Sequence, residues 1–258
     1  VTDYGGVPAD LKKFYKIKKK YKIILINDNC HAMGSKYFND IGYAARYADI
    51  VIQSYHPVKN VTSGEGGSIL TNNKKIYQES KILREHGFVS NNVHNYWERE
   101  VLRPGFNARL SELNCALGFS QLKRLKKIVN QRRKLAKLYD NYFSNHRYIK
   151  INKPDLEIFS SYHLYCIRID FKNLKINKSK FHKVLKDKYK IMLQVHYIPT
   201  YKFKVFQNRL YKKNLKNRFE KTEKYYNETF SIPLHLNLSK KNITFICKAI
   251  DKTINVLK

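Results

Sequence analysis

The sequence has no long apolar run, few cysteines and few acidic residues. Its longest apolar stretch, Ile23 to Ile26, has the size of a strand, whereas a membrane-spanning helix needs about 20 apolar residues. The four cysteines stand far apart without a C-x-x-C pair, at Cys30, Cys115, Cys166 and Cys247. This spacing argues against a disulfide framework and against a zinc site. We therefore expect a protein of the reducing cytoplasm that has no membrane partner and no metal.

The shortage of acidic residues leaves a large positive charge. The sequence has 20 Asp and Glu and 51 Lys and Arg, so the formal net charge is +31 on 258 residues. Of the 51 basic residues 12 are Arg, which is the side chain that most often reads base edges in DNA. The basic residues are also spread along the chain. We therefore interpret the charge as a solvated, Lys-rich surface and expect no nucleic-acid partner.

The first 70 residues alternate helix and strand patterns. A helix is predicted from Pro8 to about Tyr21, and short apolar strands are predicted at 22–26, 49–54 and 66–71. Continuous apolar strands separated by helices predict an α/β fold with a mainly parallel sheet that is covered on both faces. In such sheets ligands bind at the carboxyl ends of the strands, where Asp28 and Ser54 lie.

The rest of the chain predicts a connecting helix and a smaller unit. A helix at 73–86 and an irregular segment at 88–106 precede one long helix from Ser111 to about Phe143, indicated by apolar residues at three- and four-residue spacing. Beyond Pro154, strands at 163–170 and 191–197 and helices at 181–189, 218–230 and 240–257 predict an α+β unit. We therefore expect a large domain at 1–110, a connecting helix at 111–145 and a small domain at 146–258.

Three strand-end segments carry the candidate chemistry, N-D-N-C-H-A-M-G at 27–34, S-Y-H-P-V-K-N at 54–60 and T-S-G-E-G-G at 62–67. Pyridoxal phosphate needs a lysine to hold its aldehyde, a carboxylate to keep its ring nitrogen protonated, and donors for its phosphate. Lys59, Asp28 and Ser54 are residues of these types. The glycines after Lys59 do not follow the order of a nucleotide-binding P-loop.

The sequence resembles the DegT/DnrJ/EryC/StrS family of pyridoxal-phosphate-dependent sugar aminotransferases. Five motifs carry the resemblance, D-Y-G-G-V-P-A-D at 3–10, D-N-C-H-A-M-G at 28–34, S-Y-H-P-V-K-N-V-T-S-G-E-G-G at 54–67, G-F-N-A-R-L-S-E-L-N-C-A-L-G at 105–118 and V-H-Y-I-P at 195–199. The resemblance implies aminotransferase fold type I. Family members carry a further segment before the first motif, so we expect an enzyme without its N-terminal segment, whose sheet has exposed apolar surface.

The resemblance implies a role for each matching residue around the cofactor. Lys59 would hold the cofactor aldehyde and transfer protons as acid and base. Asp28 would pair with the pyridine nitrogen, His31 would lie near the 3-hydroxyl, and Ser54 would donate to the phosphate. The alternative interpretations are a surface lysine, a turn-capping aspartate, a core histidine and a strand-end serine.

Two further motifs imply contacts beyond one subunit's cofactor. Asn107 would reach the phosphate of the neighbouring subunit's cofactor, which implies a homodimer with shared active sites, and Arg109 would be structural or part of the interface. His196 and Tyr197 match a loop associated with nucleotide-sugar binding. Their alternative is a strand end packed on the core.

Within the family, the segments S-Y-H-L-Y-C-I-R-I-D-F and Q-V-H-Y-I-P most resemble transaminases of pseudaminic-acid biosynthesis. Those enzymes transfer an amino group from glutamate to C4 of a UDP-linked 4-keto-6-deoxy-N-acetylhexosamine, so the resemblance implies a role in nucleotide-sugar and surface-glycan biosynthesis. Dehydratase relatives have His in place of Lys59, which argues against that reaction. The alternative that stays open is a non-catalytic homologue that acts as a binding protein.

Overall fold

The computed structural model describes residues 1–89, 95, 97–152, 154–207 and 219–258. The chain divides into two compact units, one formed by Val1–Asn130 and Pro154–His163, the other by Gln131–Lys153 and Leu164–Lys258. The division falls inside the predicted connecting helix rather than at residues 110 and 145. The short segment Pro154–His163 joins the first unit because Ile158–Phe159 pairs with Lys36–Tyr37 as a two-stranded sheet.

The described residues contain both helices and strands, in mixed order. The helices are α1 (Leu11–Tyr21), α2 (Tyr43–Tyr47), α3 (Lys74–Arg84), α4 (Glu112–Lys123), α5 (Leu125–Phe143), α6 (Phe171–Leu174), α7 (Lys178–Tyr189), α8 (Lys204–Gln207), α9 (Glu220–Glu228) and α10 (Lys240–Leu257). The strands are β1 (Ile26–Asp28), β2 (Lys36–Tyr37), β3 (Ile50–Ser54), β4 (Gly67–Leu70), β5 (Phe88–Val89), β6 (Glu100–Val101), β7 (Ile149–Ile151), β8 (Ile158–Phe159), β9 (Tyr165–Ile169) and β10 (Thr229–Ile232).

Polar residues at the helix starts explain several of these boundaries. The Asp10 side chain accepts a hydrogen bond from the Lys13 amide and caps α1, so the helix begins after Pro8 and Ala9 rather than at them. Asn73 caps α3 in the same way, and Ser239 forms a capping box at the start of α10. Each cap satisfies backbone donors that a helix start otherwise leaves unpaired.

The main sheet of the first unit has the strand order β1-β3-β4. Strands β1 and β3 are parallel, with Asp28 opposite Ile52, and their carboxyl ends therefore lie at one edge of the sheet. Strand β4 is antiparallel to β3 and brings Gly67 opposite Ser54. The parallel pairing agrees with the prediction, while β4 adds an antiparallel strand because β3 and β4 are joined by a loop rather than by a crossover helix.

One face of this sheet packs on a core and the other does not within the described residues. The core residues include Leu11, Leu25, Tyr37, Tyr43 and Val51. The exposed apolar residues of the strands include Ile26 at 44%, Ile52 at 39% and Ile69 at 55% exposure. Coverage on both faces was therefore a wrong prediction for the described chain, whereas the expected exposed apolar surface is present.

The predicted long helix is divided into α4 and α5 at Arg124. The Arg124 amide donates to the carbonyls of Gln121 and Leu122, and a new helix starts at Leu125. Apolar residues of α4 are exposed, whereas Ile128 and Val129 of α5 are buried.

No helix among the described residues is long and apolar enough to cross a bilayer.

The second unit contains the antiparallel sheet β10-β9-β7. Phe171, Phe181 and Phe230 pack together in its core, with ring centroids 5.4 to 6.1 Å apart. The predicted strand at 163–170 and helix at 240–257 are confirmed as β9 and α10.

Two predictions in the second unit were wrong. Residues 191–197 form no strand, because Gln194 alone among them makes a bridge, to Ser231; Ile191 and Leu193 are buried in alternation without a ladder. The predicted helix at 218–230 is α9 followed by β10, so its last residues are strand, and Arg218 lies outside the described residues.

Candidate active site

Asp28 is fixed at the end of β1 by its own backbone and by a turn. Its amide donates to the Val1 carbonyl at 2.8 Å, and its carbonyl accepts from the Asp3 amide at 2.9 Å. The Oδ1 atom of Asp28 accepts from the Cys30 amide at 3.1 Å, as in an Asx turn. The half-buried carboxylate is therefore held at the edge where β1 and β3 end.

A buried polar group lies behind this strand end, and we call it the Asp3 cluster (Asp3, Asn29, Tyr43 and Gln53). The Nδ2 atom of Asn29 donates to Asp3 Oδ2 at 2.6 Å and to the Tyr43 hydroxyl at 2.9 Å. Gln53 on β3 donates to Asn29 Oδ1 at 2.6 Å. The sequence motif contains Asp3, but the sequence analysis assigned no role to it or to the other three residues.

Lys59 lies in the loop after β3. Its amide donates to the His56 carbonyl at 2.9 Å, and the side chain is half-buried. Burial lowers the pKa of Lys59, although the neighbouring Cys30 and Asp28 side chains act in the opposite direction. A lowered pKa leaves more of the amine unprotonated, which is the form that attacks a carbonyl.

Cys30 shares this edge with Asp28 and Lys59. Burial and the neighbouring Asp28 raise the pKa of the Cys30 thiol to about 11, so it is a neutral thiol at pH 7. Its Sγ donates to the Ile52 carbonyl at 3.7 Å. Among the described residues, no group of three or more His, Cys, Asp or Glu is arranged to hold a metal ion.

Asn60 ties the Lys59 loop to two other segments. The side chain is 6% exposed, and its Nδ2 atom lies 3.4 Å from the carbonyls of both Met33 and Ser161. Because Asn60 directly follows Lys59, these contacts restrain the backbone of the lysine. A role for Asn60 was not predictable from the sequence, because its partner at position 161 is distant in the chain.

His31 is buried in the loop that follows β1. Its Nδ1 atom accepts a hydrogen bond from the Gly5 amide at 3.2 Å, and its ring centroid lies 4.4 Å from that of His163. An acceptor role for Nδ1 assigns the proton of the neutral ring to Nε2. The Gly5 contact therefore fixes the orientation of the His31 ring.

Ser54 ends β3 beside a tight glycine turn. Its Oγ atom accepts from the His56 amide at 3.4 Å. A Cβ atom on Gly67, opposite Ser54, would lie 2.5 Å from the Gln53 carbonyl oxygen, and one on Gly66 would lie 2.7 Å from Leu110. Gly67 therefore permits the close approach of β3 and β4, and Gly66 leaves room for the Leu110 side chain.

Asn107 lies on an exposed part of the first unit. Its backbone forms an antiparallel bridge with Glu85, and Glu85 also forms an ion pair with Arg109. The ion pair gives Arg109 a structural contact. The predicted reach of Asn107 to another subunit stays a prediction.

His196 and Tyr197 belong to the second unit. The Nδ1 atom of His196 lies 2.8 Å from the Ser231 hydroxyl, which in turn lies 3.4 Å from Cys166 Sγ. Tyr197 is 59% exposed. The Ser231 hydroxyl is thus a partner of His196 that was not predicted from the sequence.

The structure brings Asp28 and Lys59, both predicted site residues of the first unit, to the same end of the parallel strands.

Comparison with protein families gives one match over most of the chain. Residues 1–251 match the model of the DegT/DnrJ/EryC1/StrS aminotransferase family. This chain belongs to that family. The predicted family resemblance and the predicted fold class, aminotransferase fold type I, are confirmed.

Several relatives of this family member have names that specify a reaction. It is 35% identical over 246 residues to a UDP-4-amino-4,6-dideoxy-N-acetyl-beta-L-altrosamine transaminase of Campylobacter jejuni, covering 95% of this chain and 62% of the relative. A protein of the same name from Helicobacter pylori is 31% identical over 259 residues, with 100% of this chain and 66% of the relative covered. The chain spans about two thirds of the length of these relatives.

Solved structures share the fold. Helicobacter pylori PseC, an aminotransferase involved in the biosynthesis of pseudoaminic acid, matches 99% of this chain and 66% of its own with a TM-score of 0.89 and 31% identity. The aminotransferase TlmJ of Streptoalloteichus hindustanus matches 100% of this chain and 65% of its own with a TM-score of 0.87 and 21% identity. At that lower identity the match concerns the fold alone.

Proposed function

We propose that this family member is a pyridoxal-phosphate-dependent aminotransferase that holds its cofactor on Lys59. The observation that carries the proposal is a half-buried lysine, with a pKa lowered by burial, in electrostatic contact with Asp28 at the edge where two parallel strands end. These residues fit pyridoxal phosphate, because the Lys59 amine, the Asp28 carboxylate and the Ser54 hydroxyl lie on adjoining segments. Pyridoxal phosphate, when bound, supplies an electron sink for moving an amino group.

The residues of the first unit then have separate tasks. Lys59 would hold the cofactor aldehyde through Nζ and would serve as the acid and base that moves a proton. Asp28 keeps a proton on the pyridine nitrogen, because a negative charge favours the cationic form of a neighbouring base. His31 would lie near the cofactor's 3-hydroxyl, and Ser54 would donate to the phosphate.

We propose a UDP-linked 4-keto-6-deoxy-N-acetylhexosamine as amino acceptor and glutamate as donor. The names of the Campylobacter and Helicobacter relatives support the sugar class. His196 and Tyr197 would contact the nucleotide sugar, and Ser231 would hold the His196 ring by its Nδ1 atom. The role belongs to surface-glycan biosynthesis of the pseudaminic-acid type.

We further propose a cytoplasmic homodimer with shared active sites. The exposed apolar residues of α4, with Leu113 at 85% and Phe119 at 61% exposure, are a surface that a second subunit would cover. Asn107 lies on the loop before that helix, where it would reach the other subunit's cofactor phosphate. Cys30, Cys115, Cys166 and Cys247 are not joined in disulfides in the described residues, which is consistent with a reducing compartment.

The first test is attachment of the cofactor to Lys59. The protein produced from its complete reading frame is mixed with pyridoxal phosphate, and we expect an absorption band near about 410 to 430 nm. Borohydride followed by peptide mapping should locate the label on Lys59, and Lys59→Ala should lose the band.

A matched control is available in the second unit. Burial also lowers the pKa of Lys178, to about 8, but its Nζ donates to the Thr229 carbonyl at 3.0 Å and lies 4.6 Å from the Phe230 ring centroid. Lys178→Met should therefore keep the band. Loss of the band in Lys178→Met, or its persistence in Lys59→Ala, would contradict the proposal.

The second test concerns the substrate. Amino transfer from glutamate is followed with a panel of UDP-linked 4-keto sugars. Transfer to at least one of them supports the proposal. Cofactor attachment without transfer to any of them would contradict the sugar assignment and favour the non-catalytic alternative.

A further inference from the structure

We propose that Asp3 is a positioning residue for Asp28, acting through Asn29. The inference rests on the proposed function, because it concerns the carboxylate that would pair with the cofactor ring. It assigns a task to the Asp3 cluster, which the chemistry of Lys59 and Asp28 alone does not explain.

The geometry places the Asp3 cluster directly behind Asp28. Thr2 pairs with Asp28 in a parallel bridge, and the Asp3 amide donates to the Asp28 carbonyl at 2.9 Å. Asp3 follows Thr2 and is 0% exposed, and Asn29 follows Asp28 and is 3% exposed, whereas Asp28 itself is half-buried. The buried Asp3 cluster therefore lies next to the backbone that carries the half-buried Asp28 carboxylate.

The Asp3 carboxylate is the acceptor on which this network converges. It is 0% exposed and accepts from the Ala9 amide at 2.8 Å, from the Tyr43 hydroxyl at 2.7 Å and from Asn29 Nδ2 at 2.6 Å. Burial raises the pKa of Asp3, and these hydrogen bonds act in the opposite direction. A fully buried carboxylate is costly unless donors surround it, so this arrangement is a specific one.

Asn29 transmits the restraint to Asp28. Its amide donates to the Ile52 carbonyl at 3.0 Å, while its side chain is held at both ends, by Asp3 at 2.6 Å and by Gln53 at 2.6 Å. The residue after Asp28 is therefore fixed in backbone and side chain. Without the Asp3 carboxylate, Asn29 and Tyr43 would each lose an acceptor, and the turn that aims Asp28 would relax.

The test compares Asp3→Asn with Asp10→Asn in the protein from its complete reading frame. Asp10 lies in the same motif and also accepts hydrogen bonds, from the Lys13 amide at 3.2 Å and from the Tyr37 hydroxyl at 2.8 Å, but it caps α1. Both variants remove one carboxylate, so both should lower the unfolding midpoint, and the control isolates the effect on Asp28.

Two measurements separate positioning from stability. The dissociation constant of pyridoxal phosphate should rise about tenfold in Asp3→Asn, the size typical for loss of an outer partner of a site residue. The pKa of the ring nitrogen, followed by NMR with 15N-labelled cofactor, should fall by about one unit because Asp28 is displaced. Asp10→Asn should match the wild type in both.

These results test the positioning role of Asp3 separately from the proposed aminotransferase function. A wild type that never attaches the cofactor overturns both. A wild type that attaches it, with Asp3→Asn equal to Asp10→Asn in affinity and in ring-nitrogen pKa, overturns the inference alone.

If Asp3→Asn does not fold, Tyr43→Phe replaces it. That variant keeps the carboxylate and removes one donor, so a smaller change in the same direction supports the inference. Cofactor affinity and ring-nitrogen pKa equal to the wild type would overturn it.

Discussion

Replacing Gly67 with alanine should strain the strand pair that ends at Ser54. The new Cβ atom would lie 2.5 Å from the carbonyl oxygen of Gln53, whereas ordinary contact begins at 3.4 Å. Strands β3 and β4 would therefore have to separate by about 0.9 Å at this point, from the difference of those two distances. Because the obstacle is a main-chain atom, no rotamer change relieves it, and we expect a loss of about 1–3 kcal/mol of unfolding free energy.

Chemical denaturation followed by circular dichroism measures this loss, with Gly42→Ala as the control. A Cβ atom on Gly42 would meet only the Asp40 carboxylate oxygen, at 3.3 Å, and its φ of −86° suits alanine, so we expect a cost of a few tenths of a kcal/mol at this helix cap. Gly67→Ala should also weaken cofactor binding, since Ser54 moves with its strand. Equal midpoints for the two variants, with unchanged cofactor affinity, would refute the steric argument.

Two further predictions concern a charge and a hydroxyl. Asp49 accepts hydrogen bonds from Lys18 Nζ at 2.7 Å and from the Leu25 amide at 2.9 Å. Burial alone would raise the pKa of Asp49, but these two donors outweigh burial, so the pKa is lowered. Its contribution is therefore present above the ordinary value of 3.8 and is lost as the pH falls through the folded-state pKa. Asp49→Asn should cost about 1 kcal/mol at pH 7 and less at about pH 2.5, and equal losses at both pH values in urea denaturation would contradict this. Ser231→Ala should raise the KM for the proposed UDP-sugar acceptor about three- to tenfold through loss of the His196 contact, with little change in kcat. As the control, Ser239→Ala should cost about 1 kcal/mol of unfolding free energy and leave this KM unchanged. Equal KM values for the two variants would argue against a role for Ser231.

The strand-end placement of Asp28 and Ser54 was predictable because it depends on local pattern. An apolar run followed by a polar residue marks the end of a buried strand, and two such runs separated by a helix predict parallel strands. The structure confirms this for β1 and β3. The roles of Asp28, Ser54 and Lys59 toward a cofactor came from the family motifs and stay predictions.

The errors arose where local pattern fits more than one structure. Alternating apolar residues at 191–197 predicted a strand, but burial of Ile191 and Leu193 satisfies the same alternation in an irregular segment. Residues 229 and 230 were assigned to the end of a helix because the preceding residues are helical, but they pair with Arg168 and Ile167 of β9, more than 60 positions earlier in the chain. Pairing between strands so far apart in the chain does not change the local spacing of apolar residues from which helices and strands are predicted.

The supporting residues of the site were not predictable for a related reason. Asn60 reaches a carbonyl 101 positions away in the chain, and Tyr43 reaches a carboxylate 40 positions away. Asparagine and tyrosine are common residues whose partners are set by tertiary structure. Only the folded chain shows which of them hold Lys59 and Asp28 in place.

The return of residues 154–163 to the first unit sets an order on the assembly of the site during synthesis. The Ser161 amide donates to the Gly6 carbonyl at 3.1 Å, and the Ser161 carbonyl accepts at 3.4 Å from Asn60 Nδ2, in the loop that carries Lys59. Neither contact can form until the ribosome has released the chain beyond α5 and β7. The loop carrying Lys59 therefore gains its last support after the second unit has begun to emerge, so a nascent chain that stalls before residue 161 would present the lysine on an unfinished scaffold.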